Sequence, residues 1–168
     1  MKVSKEVSDS ELKVSKIKEG TVIDHVKAGT ALIVLEMLGI TGFEGTVATL
    51  SMNVPSKRQE KKDIVKIEDR FLERSEINQI ALISPKATIN EIKDFKVVNK
   101  FDVELPNVVS GFPKCINPKC ITNAREPQKQ TYYVKSIEPL KIRCKYCNID
   151  MDLDDVIKQL TKFQGLTH

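Results

Sequence analysis

An α+β chain in two parts is what the sequence predicts, and three observations carry that expectation. Over residues 14–98, short β-branched runs alternate with two apolar-periodic stretches in the order strand, helix, strand, strand, helix, strand. The four cysteines fall as two close pairs, Cys115/Cys120 and Cys144/Cys147, separated by 23 residues rich in turn and strand formers. A chain of 168 residues, 40% hydrophobic and 30% charged, holds one compact domain or two small ones. The first hundred or so residues carry no cysteine and can bury their own core, whereas the remainder is too short to do so without a staple. The expected division is 1–104 and 105–168.

Residues 1–12 are polar and charged with little periodicity, which predicts a flexible tail. From Val14 the pattern changes: Val14–Ile17 and Gly20–Val26 are β-branched and short, and Thr30–Leu38 reads as a mostly buried helix that Gly39 stops. Gly45–Val54 alternates as a strand, Pro55–Glu60 is a polar turn, and Lys62–Glu68 returns as the second arm of a hairpin. Ser75 heads a second helix through Ile77, Ile80, Ala81 and Leu82 that Pro85 ends, and Thr88–Ile92 and Phe95–Val98 finish as strands. That order is the split βαβ or ferredoxin-like plan, an antiparallel sheet with two helices on one face and the other face open to bind or to pair. Pro106 and Val108–Pro113 mark the passage into the cysteine-bearing part, where Thr131–Lys135 and Leu140–Arg143 read as strands and Asp152–Leu160 as a terminal helix with acidic residues at its start.

The cysteine spacing is that of a small β-rich zinc domain with four cysteine ligands. Tetrahedral Zn²⁺ takes four soft or borderline ligands, and two short loops joined by a β-rich connection bring Cys115, Cys120, Cys144 and Cys147 together. With every sulfur committed, no position is left for substrate or activated water, so one structural ion per chain is expected. A thioredoxin-like use of Cys144 and Cys147 would not need the second pair. The N-terminus Met1–Glu6 has no signal-peptide core and no apolar run approaches membrane-spanning length, so a cytoplasmic chain without membrane contact is expected, where disulfides would be unusual.

Charge argues weakly for nucleic acid. Residues 1–104 hold 17 Lys/Arg against 17 Asp/Glu, and residues 105–168 hold 10 against 6, so the net +4 lies wholly in the second part. Four thiolates around one Zn²⁺ add about −2 there and leave about +2. A zinc-ribbon nucleic-acid-binding protein is the alternative reading, and it asks for aromatic residues on the sheet for base stacking. The chain has no Trp, and its few Tyr and Phe do not cluster on the strands of the first part. No nucleic-acid partner is therefore expected.

Period-two geometry puts Lys62, Ile64 and Lys66 on one face of their strand and Asp63, Val65 and Ile67 on the other. Asp24-His25 interrupts an otherwise apolar strand, where a carboxylate is costly unless paired. A nucleotide would use this set: carboxylate for ribose hydroxyls, ammonium and imidazole for phosphates, an apolar wall for the base. Solvated lysines and a satisfied Asp/His pair are the structural alternatives. No glycine-rich phosphate loop is present.

Taken jointly, Gly20-Thr21-Val22-Ile23-Asp24-His25, Asn53-Val54-Pro55-Ser56, Lys61–Glu68, Pro85–Asn90 and the C-x4-C…C-x2-C set resemble the regulatory chain of aspartate carbamoyltransferase, from about Val14 to Cys147. The resemblance implies a non-catalytic chain with an allosteric domain that binds CTP or ATP and a zinc domain that docks on the catalytic chain. It also implies pairing of regulatory chains into homodimers that bridge catalytic trimers, in the service of pyrimidine biosynthesis. By the same resemblance Asp24 and Lys66 hold ribose and base, and His25 and Lys100 lie toward the phosphates. Lys62, Ile64, Asn90, Ile92 and Val97 line the pocket, and the backbone of Val14 to Ile17 reads the base. This chain departs from the pattern at Glu11 and Lys119, where a lysine and an asparagine are usual, at Phe95, which replaces a tyrosine, and in a longer tail after Asp150.

Overall fold

The computed structural model describes residues 16–160. The tail expected over 1–12, Glu11, Val14 and the last eight residues lie outside the described residues. Within them, nine strands form two antiparallel sheets. The first contains β1 (Gly20–Lys27), β2 (Ala48–Pro55), β3 (Lys61–Glu68), β4 (Thr88–Lys93) and β5 (Lys96–Asp102), in the order β2-β3-β1-β4-β5. Helices α1 (Ala31–Met37) and α2 (Arg74–Ile83) complete the ferredoxin-like plan, and β5 adds a fifth strand at the edge. The second sheet, β6-β7-β8-β9, is built from Val108–Ser110, Thr131–Ser136, Lys141–Cys144 and Asp150–Asp152, with a 3₁₀ turn at Ile121–Asn123 and a closing helix α3 (Leu153–Leu160).

Alternation decides which face of the first sheet is buried. Val65 and Ile67 of β3, Ile23 and Val26 of β1 and Ile89 of β4 point to the helices and join Ala31, Val34, Ile80 and Ala81 in one apolar cluster. β1 keeps both Ile23 and Val26 inward because its register shifts between them: Asp24-His25 forms a bulge, with His25 at φ 53°. Strand β1 opens at Gly20, φ +134°, where a Cβ would collide with the Ile67 carbonyl oxygen, so only glycine fits the close approach to β3.

The helix ends differ in detail from the sequence expectation. Thr30 directs its hydroxyl back to the Lys27 carbonyl (2.6 Å) rather than capping α1. The cap is Asp63, fully buried on β3, whose Oδ2 accepts from the Gly29 and Ala31 amides at 2.8 and 3.0 Å and whose Oδ1 accepts from the Asn53 amide at 2.8 Å. Helix α2 starts one residue before Ser75 and is capped at Glu73, whose amide donates to Glu76 (2.9 Å) in a capping box. The last hairpin turns at Asp94-Phe95, both at positive φ, so β5 begins later and runs longer than the expected Phe95–Val98.

The second sheet has its own apolar cluster: Val109, Tyr132, Leu140, Ile142, Met151 and Val156 around the cysteines. Leu82 and Ile83, the last two residues of α2, are buried in this second cluster and not in the first, and Ile33 and Met37 of α1 pack against it. The two sheets are therefore joined through the ends of both helices.

Candidate functional site

The four cysteines converge. Their Sγ atoms all lie within 4.8 Å of one another, with Cys115 and Cys147 at 3.5 Å and Cys120 and Cys144 at 3.7 Å. A disulfide would require about 2.0 Å. A tetrahedron of sulfurs, each about 2.3 Å from a central metal, has edges of about 3.8 Å, close to the 3.5 and 3.7 Å of these two pairs. Three of the four are buried and Cys147 is half-buried.

The local sequence explains the convergence. In the first loop the Cys120 amide donates to the Asn117 carbonyl (3.0 Å) and the Lys119 amide to Asn117 Oδ1 (3.0 Å), closing a tight turn between the ligands. In the second, Cys144 ends β8 and the Asn148 amide donates to its carbonyl (3.0 Å), with Asn148 itself at φ 60°. Donors converge on the sulfurs: the Thr122 hydroxyl on Cys120 (3.2 Å), and the amides of Asn117 on Cys115, of Tyr146 and Cys147 on Cys144, and of Ile149 on Cys147. Burial holds the metal-free Cys115 thiol well above its ordinary range and pushes the Cys144 thiol up as well. Burial also pushes Cys147 upward, but the Ile149 amide, the Asn117 side chain and the neighbouring thiols outweigh it and bring it to about 7. Buried sulfurs surrounded by N–H and O–H donors are a setting for thiolates, and thiolates this deep need a cation. The donor set fits a closed, four-coordinate soft-metal site.

The open face of the first sheet gathers the second group of sequence candidates. Lys66 of β3 lies opposite Val22 of β1, Val22 opposite Asn90 of β4, and Asn90 opposite Lys100 of β5, so one row crosses four strands. Ile17, Val22, Lys66, Asn90, Ile92 and Val97, with Lys16 and Phe95, enclose a cavity of about 270 Å³. Lys66 is buried there, and burial lowers its pKa. Ile64 sits half-buried two residues before it on the same strand face.

Beside the cavity, the β1 bulge turns Asp24 and His25 to the surface. Lys62 Nζ lies 2.8 Å from Asp24 Oδ1, and the His25 amide donates to the same oxygen at 2.6 Å. Burial pushes the Asp24 pKa up, yet the Lys62 hydrogen bond, the His25 amide and the nearby positive charges together bring it below the ordinary value. His25 is lowered by burial first; Asp24 opposes that shift, while Lys62, Arg58 and Lys100 reinforce it. Sequence reasoning missed the continuation of this network. Thr88 Oγ1 is 3.3 Å from His25 Nδ1 and donates to Asp102 Oδ1 at 2.8 Å, and Arg58 approaches Asp102 at 3.5 Å. Only the short spacing of Thr88 and Asp102 around a hairpin could have hinted at it.

A larger cleft of about 850 Å³ runs between the two sheets. Lys27, Glu60, Lys61 and Lys86 line one wall and Glu138, Asp152 and Asp154 the other, and the Lys86–Glu138 pair spans it at 3.3 Å. Of the residues singled out in the sequence for a nucleotide, only His25 borders it. Among the described residues, no helix is long and apolar enough to cross a membrane.

Comparison with known proteins adds to this geometry. The family model for the aspartate carbamoyltransferase regulatory chain, allosteric domain, matches residues 12–104, and that for the metal binding domain of the same chain matches residues 107–157. The sequence is 52% identical over 152 residues to the aspartate carbamoyltransferase regulatory chain of Pyrococcus abyssi, covering 90% of this chain and 99% of that one. It is similar to the regulatory chain of Thermofilum pendens (51% over 155 residues, 92% of this chain and 98% of that one) and to that of Pyrobaculum islandicum (55% over 148 residues, 88% and 98%).

Proposed function

The chain belongs to the family of aspartate carbamoyltransferase regulatory chains, a non-catalytic subunit, and we propose that it controls the catalytic chains by binding CTP or ATP on the open face of its first sheet. In this reading residues 1–104 are the effector-binding domain and residues 105–168 the zinc domain that docks on the catalytic chain. The observation that carries it is the juxtaposition of an apolar cavity with a charged rim. About 270 Å³ is less than the roughly 300–1,000 Å³ of pockets that enclose a whole drug-sized ligand. It suits one ring system, with Asn90 and the buried Lys66 offering polar contacts to the base. Ribose and phosphates then lie outside the cavity, over Asp24, Lys62, His25 and Lys100, where two ammonium groups and an imidazole face one carboxylate. Purine and pyrimidine rings require different placements of the segment at Val14 to Ile17, and that difference is the signal. A coupling of about 1–3 kcal/mol would shift the activity of the partner several-fold or more.

Cys115, Cys120, Cys144 and Cys147 would hold one Zn²⁺ per chain, which supplies rigidity and no open coordination position. The chain works in the cytoplasm as a homodimer bridging catalytic subunits, with neither nucleic acid nor membrane as partner. The test is reconstitution with the catalytic partner, calorimetric titration with each triphosphate, and assay of carbamoyl transfer to aspartate. Asp24→Ala is expected to weaken triphosphate binding about tenfold or more, the worth of a charge-assisted hydrogen bond. Absence of binding by the unaltered complex at millimolar CTP and ATP would overturn the reading.

A further inference from the structure

The loop that carries the first metal ligand takes several of its anchors from side chains of other elements. Residues 111–119 contain no helix or strand, so their backbone groups must find partners elsewhere. The Pro113 carbonyl accepts from the buried Tyr132 hydroxyl (2.8 Å), and the Cys115 and Asn117 carbonyls both accept from Asn123 Nδ2 (2.8 Å each). Lys114, between these anchors and directly before Cys115, is clamped from a third direction. Its amide donates to Gln159 Oε1 at 2.8 Å, and its carbonyl accepts from Gln159 Nε2 at 2.7 Å.

One side-chain amide thus satisfies both backbone groups of the residue adjoining a ligand, across 45 positions of sequence. Tyr132 and Asn123 belong to the sheet and the ligand loops. Gln159 comes instead from the last turn of α3, whose Val156 is fully buried and whose Leu153 and Leu160 pack in the cluster shared with Leu82 and Ile83 of α2. The position of the clamp is therefore set by how α3 is seated. Residue 159 lies beyond the last position matched by the metal-binding family model, 157.

We propose that Gln159 is the positioning residue for Cys115, and that the seating of α3 governs how firmly the four-thiolate site retains its metal. The inference rests on the metal reading above. Loss of a hydrogen-bond partner of a metal ligand commonly costs about 10–100-fold in metal affinity; Gln159 acts one residue away and Asn123 still holds the Cys115 carbonyl, so the low end of that scale applies, because freeing Lys114 loosens Cys115 and eases entry of a competing ligand.

The experiment uses the full chain loaded with Zn²⁺ and, in parallel, with Co²⁺. Zinc release to a chromogenic chelator in excess is followed in time, and the cobalt–thiolate absorption bands report ligand geometry. Gln159→Ala is expected to speed release about tenfold and to shift the cobalt bands. Gln159→Glu keeps an acceptor for the Lys114 amide but sets a carboxylate against its carbonyl, and is expected to release at an intermediate rate; it carries the test if the alanine variant does not fold. Release at the unaltered rate from the folded variants, or an unchanged cobalt spectrum, overturns the proposal. Failure of the unaltered chain to take up either metal would overturn the metal reading itself, and is seen before any variant is made.

Discussion

Replacing Asp63 by alanine removes the acceptor that ties the start of α1 and strand β2 to strand β3. Its carboxylate accepts from the Gly29, Ala31 and Asn53 amides at 2.8, 3.0 and 2.8 Å. The Ala31 amide is buried, and a buried donor without a partner costs about 1–3 kcal/mol. Gly29 and Asn53 are exposed residues, and water can partly replace the lost oxygen, so their share is about 0.5–1 kcal/mol each. The expected loss is about 2–5 kcal/mol, against a total stability of order 5–15 kcal/mol for a domain. Urea unfolding of the metal-loaded chain at neutral pH, followed by far-ultraviolet circular dichroism, reads this directly. With a slope of about 2 kcal/mol per molar urea, the midpoint should fall by about 1–2.5 M. Asp63→Asn should cost less, because one oxygen can still serve Gly29 and Ala31 while its NH2 group opposes the Asn53 amide. An alanine variant within about 0.5 kcal/mol of the unaltered chain, the range of an ordinary surface substitution, would refute the reasoning.

Two further outcomes follow from the two sites. Cys144→Ser replaces the most deeply placed sulfur with a poor zinc ligand, so metal content measured after gel filtration should fall from one ion per chain to near zero, and association with the catalytic partner should be lost with it. The His25 pKa lies below its ordinary 6.5 in the free chain, so between that lowered value and 6.5 the unfolded chain binds more protons and stability rises with pH through this window. A triphosphate beside His25 opposes the lowering; binding should take up protons and tighten as pH falls from about 7.5 to 6. Calorimetry in two buffers of different ionisation enthalpy should detect the uptake in the unaltered chain and not in His25→Gln.

How much of this was legible in the sequence depended on whether a feature was local. Lys62, Ile64 and Lys66 fall on the open face because strand alternation is a rigid rule, and the cysteine pairs converge because their spacing encodes two tight turns. The bulge at Asp24-His25 was visible only as an oddity, a carboxylate inside an apolar run; its resolution needs Lys62 from the adjacent strand. Strands β6 and β9 escaped notice because three residues are too few to show a period, and they exist by pairing with β7 and β8. The Asp63 cap was hidden for the opposite reason. A buried acid on a core-facing strand position looks like an error until the helix it serves, 32 residues earlier, is brought against it.

Leu82 and Ile83 sit at 1% exposure in a cluster whose other members come from the cysteine-bearing half. Any attempt to produce the front half alone would strip both side chains of their cover and leave an adhesive apolar spot at the end of α2, beside Ile33 and Met37. Isolated fragments should therefore self-associate or precipitate unless those positions are recoded with polar residues, and dissecting the chain into separately studied pieces calls for surgery at α2 as well as a cut in the backbone.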